Sequence, residues 1–560
     1  MVEKQSNLVS KAEEMASKQR DIGVAEFFAR NKHLLGFDNP RKALLTTVKE
    51  AVDNSIDACE DAQILPEITV EITDMGSDRY RVVIEDNGPG IVKAQIPKIF
   101  AKLLYGSKFH TRKQQRGQQG IGISASVMYA QLTTGRPAKV ISKTENGQAH
   151  YFEIQIDTAK NEPKILKDEI KEWDSEHGTR IELDLEGSYQ KGNQSVDEYL
   201  KETAVVNPHV TIFYSNPKDP EPYIFARVTD QLPIQAQEIK PHPYGVQVGV
   251  LMNMLQDSKS STLNQFLQEE FSRVSPSVAK DICANARLNP KDKPQKMTRE
   301  HAEAIIKGIK ETKIMAPPTD CLSPITAELL EKGVKKEINA EFYTAVSRPA
   351  QVINGNPFQI EVALAYGGAQ PHDKQANIMR FANRVPLLYQ QGGCGITKAI
   401  TSINWKPYGL QQPGSSIPIG PISIAIHLAS VWVPFTSESK EAIAHYDELI
   451  KEAKLALQEA GRQLGKYVAK KQRTKLEMRK RGFIQKYIPK LAEATGLILD
   501  LKKEDTAIME AQLEKLLEQS RGALDTMEFD PSKNLEYDEE WARIGKEEKK
   551  KTQDDEEDKQ

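Results

Sequence analysis

Glu50-Ala51-Val52-Asp53-Asn54-Ser55-Ile56-Asp57 is the stretch on which the reading of this chain turns. It lies in a helical pattern, Ala43 to Asp61, in which Leu45, Val48, Val52 and Cys59 fall near one stripe and Glu50, Asn54 and Asp57 on another. Residues four apart stack on one helix face, so a carboxylate and a carboxamide are presented together. A carboxylate can orient and deprotonate a water. An amide oxygen is a hard ligand suited to Mg²⁺, which keeps several waters and takes one or two protein ligands plus phosphates. Taken alone, the stretch also reads as a solvated helix face.

Two alternating segments follow, Glu67–Asp74 and Tyr80–Asp86, joined by Met75 to Arg79, and they predict a hairpin. It ends on Asp86-Asn87-Gly88-Pro89-Gly90. A strand-end aspartate can accept a hydrogen bond from an amino group such as that of adenine, and glycines let backbone approach a flat ligand. Asn-Gly and Pro-Gly are also plain turn dipeptides. Further on stands Arg116-Gly117-Gln118-Gln119-Gly120-Ile121-Gly122-Ile123-Ser124, three glycines before an expected helix over Ile123–Tyr129. Backbone N–H groups at a helix start form an anion site. The spacing GxxGxG reverses the dinucleotide fingerprint, and no Walker lysine follows. A flexible glycine loop is the plainer reading of this segment by itself.

In order and spacing the three segments together resemble the Bergerat-type ATP-binding fold shared by DNA gyrase, a class of heat-shock chaperones, histidine kinases and the MutL mismatch-repair proteins. The resemblance implies ATP and Mg²⁺ as ligands. It implies Glu50 as general base, Asn54 as Mg²⁺ ligand, Asp86 with Gly88 and Gly90 at the adenine, and Gly117 through Ser124 as a phosphate lid. Gly178-Thr179 is similar to the family's later Gly-Thr element, placing Thr179 at the nucleotide. Glu50 favours the hydrolysing members. Gly106-Ser107-Lys108-Phe109, with 116–124 and the blocks beyond, resembles the B subunit of topoisomerase VI over about Asp21 to Lys480. That adds Ser107 and Lys108 to the expected ATP contacts.

The predicted architecture is α+β and multidomain: a polar arm (1–20), a Bergerat-type α/β sandwich ATPase domain (21–235), a helix–two-turns–helix insertion (236–312), an α/β transducer with a long helix (313–480), and a helical C-terminal region with a charged tail (481–560). Within the ATPase domain, strands are expected at Lys139–Ser142, His150–Ile156 and Arg180–Asp184. Helices are expected in the insertion at Leu263–Val274 and Thr298–Lys310. The resemblance identifies the third and fourth of these blocks as insertion and transducer. The part after Lys480 is too short for the extra immunoglobulin-like domain of longer relatives.

With 560 residues and a net charge of −3, the chain is no polycation, so nucleic-acid contact requires local basic patches. No run of 18 apolar residues and no signal-like N-terminus is present, which predicts no membrane span and a cytoplasmic, nucleoid-associated location. Cys59, Cys283, Cys321 and Cys394 lie far apart without a CxxC pair, suggesting neither a zinc ribbon nor a disulfide scaffold. Residues 462–490 hold eleven Lys or Arg and one acid, Glu477; this basic helix is a DNA face, a partner face or a solvated surface. Trp405-Lys406-Pro407-Tyr408, aromatics beside a cation, reads as ordinary packing ahead of a DNA contact.

Thr436-Ser437-Glu438-Ser439-Lys440 reads as the capped start of the long helix. A lysine in a first turn opposes the helix dipole unless an anion compensates it. The resemblance makes Lys440 the transducer lysine that senses the γ-phosphate. It further implies ATP-dependent homodimerisation with the arm swapped onto the partner. A separate, DNA-cleaving A subunit in an A2B2 heterotetramer, and double-stranded DNA as substrate, complete the implied assembly. The competing expectations are a mismatch-repair or chaperone-type ATPase of the same fold, or a non-enzymatic scaffold for a cleavage subunit.

Overall fold

The computed structural model describes residues 15, 22–108, 111–117, 120–437 and 439–521. The arm (apart from Met15), Asp21, Phe109, His110, Gln118, Gln119, Glu438 and residues 522–560 lie outside these. The chain divides into two compact units, Met1–Asn404 with Gln412–Ala460, and Trp405–Gln411 with Gly461–Gln560.

The first unit opens with α1 (Val24–Arg30) and α2 (Pro40–Asp61). Helix α2 starts where Asn39 Oδ1 accepts from Lys42 N at 2.9 Å, with Pro40 in the first turn where its missing donor is harmless. The hairpin follows as β1 (Glu67–Asp74) and β2 (Arg79–Asp86), closed by Met75 N donating to Arg79 O at 2.8 Å. Next come α3 (Ile96–Ala101), α4 (Gly122–Thr134), β3 (Ala138–Lys143), β4 (His150–Asp157), β5 (Glu162–Ile170), β6 (Gly178–Glu186), α5 (Val196–Val206), β7 (Thr211–Ser215) and β8 (Tyr223–Phe225). The strands form one sheet in the order β5-β4-β3-β6-β2-β1-β7-β8, with β1 and β7 parallel.

Val48, Val52 and Ile56 of α2 and Val127 of α4 share a buried core with Val70, Ile84 and Leu183 of the sheet. Each such side chain contributes about 1.5–3 kcal/mol on burial. That packing turns the opposite face of α2 outward. Helix α5 is an element the sequence reading passed over in favour of strands. Its signal was Ser195, whose Oγ caps Glu198 N at 3.1 Å.

Four helices then surround a core of their own: α6 (Val248–Asp257), α7 (Leu263–Glu270), α8 (Pro276–Asn285) and α9 (Arg299–Glu311), built on Leu251, Leu255, Phe266, Leu267, Ile282 and Ile305. Helix α7 ends at Glu270, short of the expected Val274, because Phe271 is extended and Arg273 has φ +60°.

The last part of this unit holds α10 (Ala327–Glu337), β9 (Phe342–Ser347), β10 (Gln351–Ile353), β11 (Asn356–Tyr366), β12 (Asn377–Ala382), β13 (Val385–Pro386), α11 (Gly395–Thr401) and β14 (Ile422–Ser430). Its sheet runs β10-β11-β14-β12-β13, with β9 also on β11. Strand β14 is buried along its whole length, as its unbroken Ile-Ser-Ile-Ala-Ile-His-Leu-Ala-Ser run requires.

The long helix corrects an expectation. It is α12, Asp447–Ile498, and does not begin near Thr436. Residues 436, 437 and 439–446 are irregular: Thr436 N donates to Ala442 O at 2.9 Å and Lys440 has φ +52°. A left-handed lysine cannot sit in an α-helix, so the dipole argument for Lys440 falls. At its other end α12 runs through Pro489, and α13 (Lys503–Arg521) follows. In the second unit Trp405 is buried and meets Tyr408 edge to face at 5.9 Å. Tyr408 lies so close to Gly461 that a Cβ there would be 2.5 Å from its ring. The motif is packed, as its plainer reading had it. Among the described residues no helix is long and apolar enough to cross a membrane.

Helix α10 lies directly on α5: a Cβ on Gly333 would be 2.1 Å from Val205 O. Gly333→Ala is therefore expected to cost about 1–3 kcal/mol through forced separation of the helices. Urea unfolding measures this, and an unchanged midpoint would contradict the packing described.

Candidate active site

The outward face of α2 carries Lys42, Thr46, Lys49, Glu50 and Asn54, in successive steps of four, three, one and four residues, and all five line one cavity of about 430 Å³. That volume suits a small-molecule site. Its other walls bring Asp86, Gly90, Ser107, Lys108, Gly117, Gly120, Ile121, Gly122, Ile123, Thr179 and Lys440 together. Gly88 and Ser124 are outside the lining. Ser124 Oγ is turned back onto Ile121 O at 2.9 Å, and Gly88 N holds Asp86 instead. Gln118 and Gln119 lie outside the described residues.

Glu50 sits on the start of α4. A Cβ on Gly122 would fall 1.8 Å from Glu50 Oε2, so only glycine leaves the carboxylate its place. Among the described residues that carboxylate has no hydrogen-bond partner, which leaves it open to a water. Helix α4 has no side-chain cap, so its first N–H groups stay available to an anion. Asn54 is exposed one turn on from Glu50, with its Oδ1 3.9 Å from where a Gly117 Cβ would stand.

Asp86 closes the apolar end, beside Ile84, Ile91, Ile99 and Phe100. Its Oδ2 accepts from Ser55 Oγ at 2.8 Å, and its Oδ1 from Gly88 N at 2.9 Å and Thr179 N at 3.2 Å. Burial outweighs these donors and pushes the carboxyl up to about 6. Gly178, φ +138°, lets β6 reach Asp86: a Cβ there would be 2.0 Å from Asp86 O. Lys108 Nζ is engaged by Asp57 Oδ2 at 2.6 Å.

Lys440 reaches the cavity from its loop, and its Nζ donates to Arg116 O at 3.2 Å, at the foot of the glycine segment. The next residue, Glu441, forms an ion pair with Lys42 of α2, which also meets Asp38 at 2.9 Å. The loop is thus pinned to α2, and Lys440 reaches the cavity by that route and not by a helix start. Sequence reasoning passed over Lys42 and Lys49. Burial lowers the Lys49 pKa, with Glu50 and Asp53 opposing. The signal for both was their place on the Glu50–Asn54 stripe.

Residues 39–186 match the family model described as histidine kinase-, DNA gyrase B-, and HSP90-like ATPase, and residues 317–480 match topoisomerase VI B subunit, transducer. The B subunit of type 2 DNA topoisomerase 6 from Methanococcoides burtonii is 53% identical over 484 residues, covering 86% of this chain and 78% of that one. The proteins of the same name from Archaeoglobus fulgidus and Pyrococcus furiosus are 49% and 38% identical, over 87% and 88% of this chain and 81% and 94% of theirs. The chain belongs to the topoisomerase VI B-subunit family. Its two-domain match sets aside the mismatch-repair and chaperone expectations. As a topoisomerase VI B-type chain it carries an ATPase domain, and with that domain ATP binding.

The Asp86 shift has a consequence for nucleotide affinity. The folded pKa lies above the ordinary carboxylate value, so Asp86 favours folding most below about pH 4, and that contribution is lost as the pH rises to 6. A ligand amine donating to Asp86 favours the ionised form, so binding below pH 6 must expel a proton. ADP affinity is expected to weaken below pH 6 by up to about tenfold per pH unit. Calorimetric titration from pH 5 to 8 checks this. Asp86→Asn should bind ADP more weakly and lose that pH dependence. Equal profiles in both proteins would show that Asp86 does not meet the nucleotide.

Proposed function

We propose that this chain is the ATP-hydrolysing subunit of a two-subunit type II DNA topoisomerase. ATP-dependent dimerisation gates passage of one duplex through a double-strand break made by a separate A subunit, relaxing supercoils and decatenating DNA. One observation carries the reading: an open carboxylate, Glu50, faces an uncapped helix start and a lysine from the transducer across one cavity, in a chain of this family. The polar arm (1–20) swaps onto the partner copy, the assembly is A2B2, and the protein works in the cytoplasm on the nucleoid. The exposed basic side chains of 462–490 offer a surface for DNA or for the A subunit.

Adenine lies against the Asp86 end, where Gly88 orients the carboxylate, Gly90 gives backbone access and Thr179 supplies a further polar contact. The triphosphate lies along the N–H groups of Gly117 and of 120–124, with Ser107 and Lys108 beside it. Lys108 must exchange Asp57 for phosphate to take part. Glu50 accepts the proton of the attacking water. Asn54 fits Mg²⁺: an exposed, hard amide oxygen one turn from a carboxylate suits an ion held mainly by phosphates and water. When bound, Mg²⁺ neutralises charge on the phosphates. Lys440 exchanges the Arg116 carbonyl for the γ-phosphate, a stronger, charge-assisted partner.

Glu50→Ala is expected to bind nucleotide and to lose about 10²–10⁴-fold in ATP turnover. Steady-state hydrolysis near the wild-type rate would overturn the general-base assignment. Lys440→Ala should keep its ADP affinity, lose affinity for a non-hydrolysable ATP analogue, and fail in turnover. Equal affinities for both ligands in mutant and wild type, with normal turnover, would make Lys440 a surface residue.

A further inference from the structure

Arg116 does more at the foot of the lid than receive Lys440. Its side chain is 4% exposed. Nη1 donates to Asp57 Oδ1 and Glu60 Oε2, each at 2.7 Å, and Nη2 to Glu60 Oε1 at 2.7 Å and Asn207 Oδ1 at 2.6 Å. The guanidinium therefore grips α2, the helix of Glu50 and Asn54, one to two turns beyond them. Asn207, directly after α5, passes the contact on: its Nδ2 donates to Thr203 O at 2.9 Å and to Arg384 O at 3.2 Å. Arg384 stands in the β12–β13 turn, where Asn383 and Arg384 both have positive φ, +48° and +65°.

From there the bonds run into the second sheet. Arg384 N donates to His427 Nε2 at 3.0 Å, which leaves Nδ1 to carry the proton and donate to Glu361 Oε2 at 2.9 Å. Glu361 takes Ile325 N and Thr326 N at 2.8 and 2.7 Å, ahead of α10. The two residues before Arg116 are tied to the same region. Gln114 exchanges two bonds with Ser323, at 3.0 and 2.7 Å, and Asn383 Nδ2 donates to Gln115 O at 2.9 Å.

We propose that Arg116 and Asn207 are positioning residues that tie the Lys440 contact and helix α2 to the transducer sheet, forming a joint beside Lys440. The proposal rests on the ATPase reading of the cavity. Among the described residues Arg116 Nε and Arg384 Nε are buried without a hydrogen-bond partner, so each has a donor that another arrangement could satisfy. A void of about 30 Å³, lined by Arg116, Asn383, Phe435 and Lys440, lies beside it, with room for a small displacement. When Lys440 leaves the Arg116 carbonyl, residue 116 loses one of its holds. Any shift of its guanidinium pulls on α2 and, through Asn207, on the turn that carries Arg384.

Asn207→Asp tests this. It keeps an acceptor for Arg116 and removes the donor to Thr203 O and Arg384 O. In the full chain the variant should retain ADP affinity. It should lose about two- to thirtyfold in ATP turnover and in affinity for the non-hydrolysable analogue. Added to Lys440→Ala it should cause little further loss, because both act on one movement of residue 116. Normal turnover, equal weakening of ADP and analogue, or multiplying losses in the double variant would each overturn the joint. Asn383→Ala, cutting the Gln115 link, gives the same readout if Asn207→Asp does not fold. Glu50→Ala, run alongside, separates the two readings: if it hydrolyses ATP normally, the site reading itself fails.

Discussion

Helix α2 must satisfy two surroundings at once, and the site depends on how it does so. One face is fixed by apolar packing on the eight-stranded sheet. The other presents Lys42, Lys49, Glu50 and Asn54 to the cavity. Because the packed face cannot rotate without exposing Val48, Val52 and Ile56, the polar face is fixed as firmly as the core. At its far end Asp57 and Glu60 hold Arg116, directly before Gly117. One helix thus sets the Glu50 carboxylate, the Asn54 amide and, through Arg116, the foot of the glycine segment.

The charges beneath the lid are costly to bury and therefore constrain the structure. Burial raises the Asp57 and Glu60 carboxyls, but Lys108 with Arg116 outweighs it at Asp57, and Arg116 with His209 and Arg384 at Glu60, so both are held below the ordinary carboxylate range. A buried group of this kind contributes little net stability compared with apolar packing, and breaking it is expensive. Its value is geometric. In this arrangement Arg116 satisfies both acids and Asn207 and holds in place the carbonyl that Lys440 meets. The loop of Lys440 is held in turn by the Lys42–Glu441 pair, from the same helix α2.

The sequence showed the cavity more fully than its connections. Glu50, Asn54, Asp86 and the glycine segment were legible because each sits on a local pattern: a helical stripe, a strand end, a run of glycines before a helix. Local patterns also exposed the β1–β2 hairpin and the helical block. What stayed hidden was non-local. Arg116 looked like a lid residue until Asp57, Glu60 and Asn207 came to it from three parts of the chain. Lys440 was placed at the cavity by resemblance and assigned a helix start on local grounds. The Phe435–Ile443 bridge instead makes that segment a loop. Helix α5 was missed because the Val-rich stretch around it favours strand, and its packing on α2 and α10 decides otherwise.

The central claim is that ATP turnover in this cavity drives a DNA gate. The most direct measurement is relaxation of supercoiled plasmid by the chain combined with a topoisomerase VI-type A subunit, in matched reactions with ATP, ADP and no nucleotide. The account predicts relaxation with ATP, none with ADP or without nucleotide, and phosphate release that accompanies it. Relaxation that proceeds without ATP, or no relaxation while the mixture hydrolyses ATP and cleaves DNA, would contradict it.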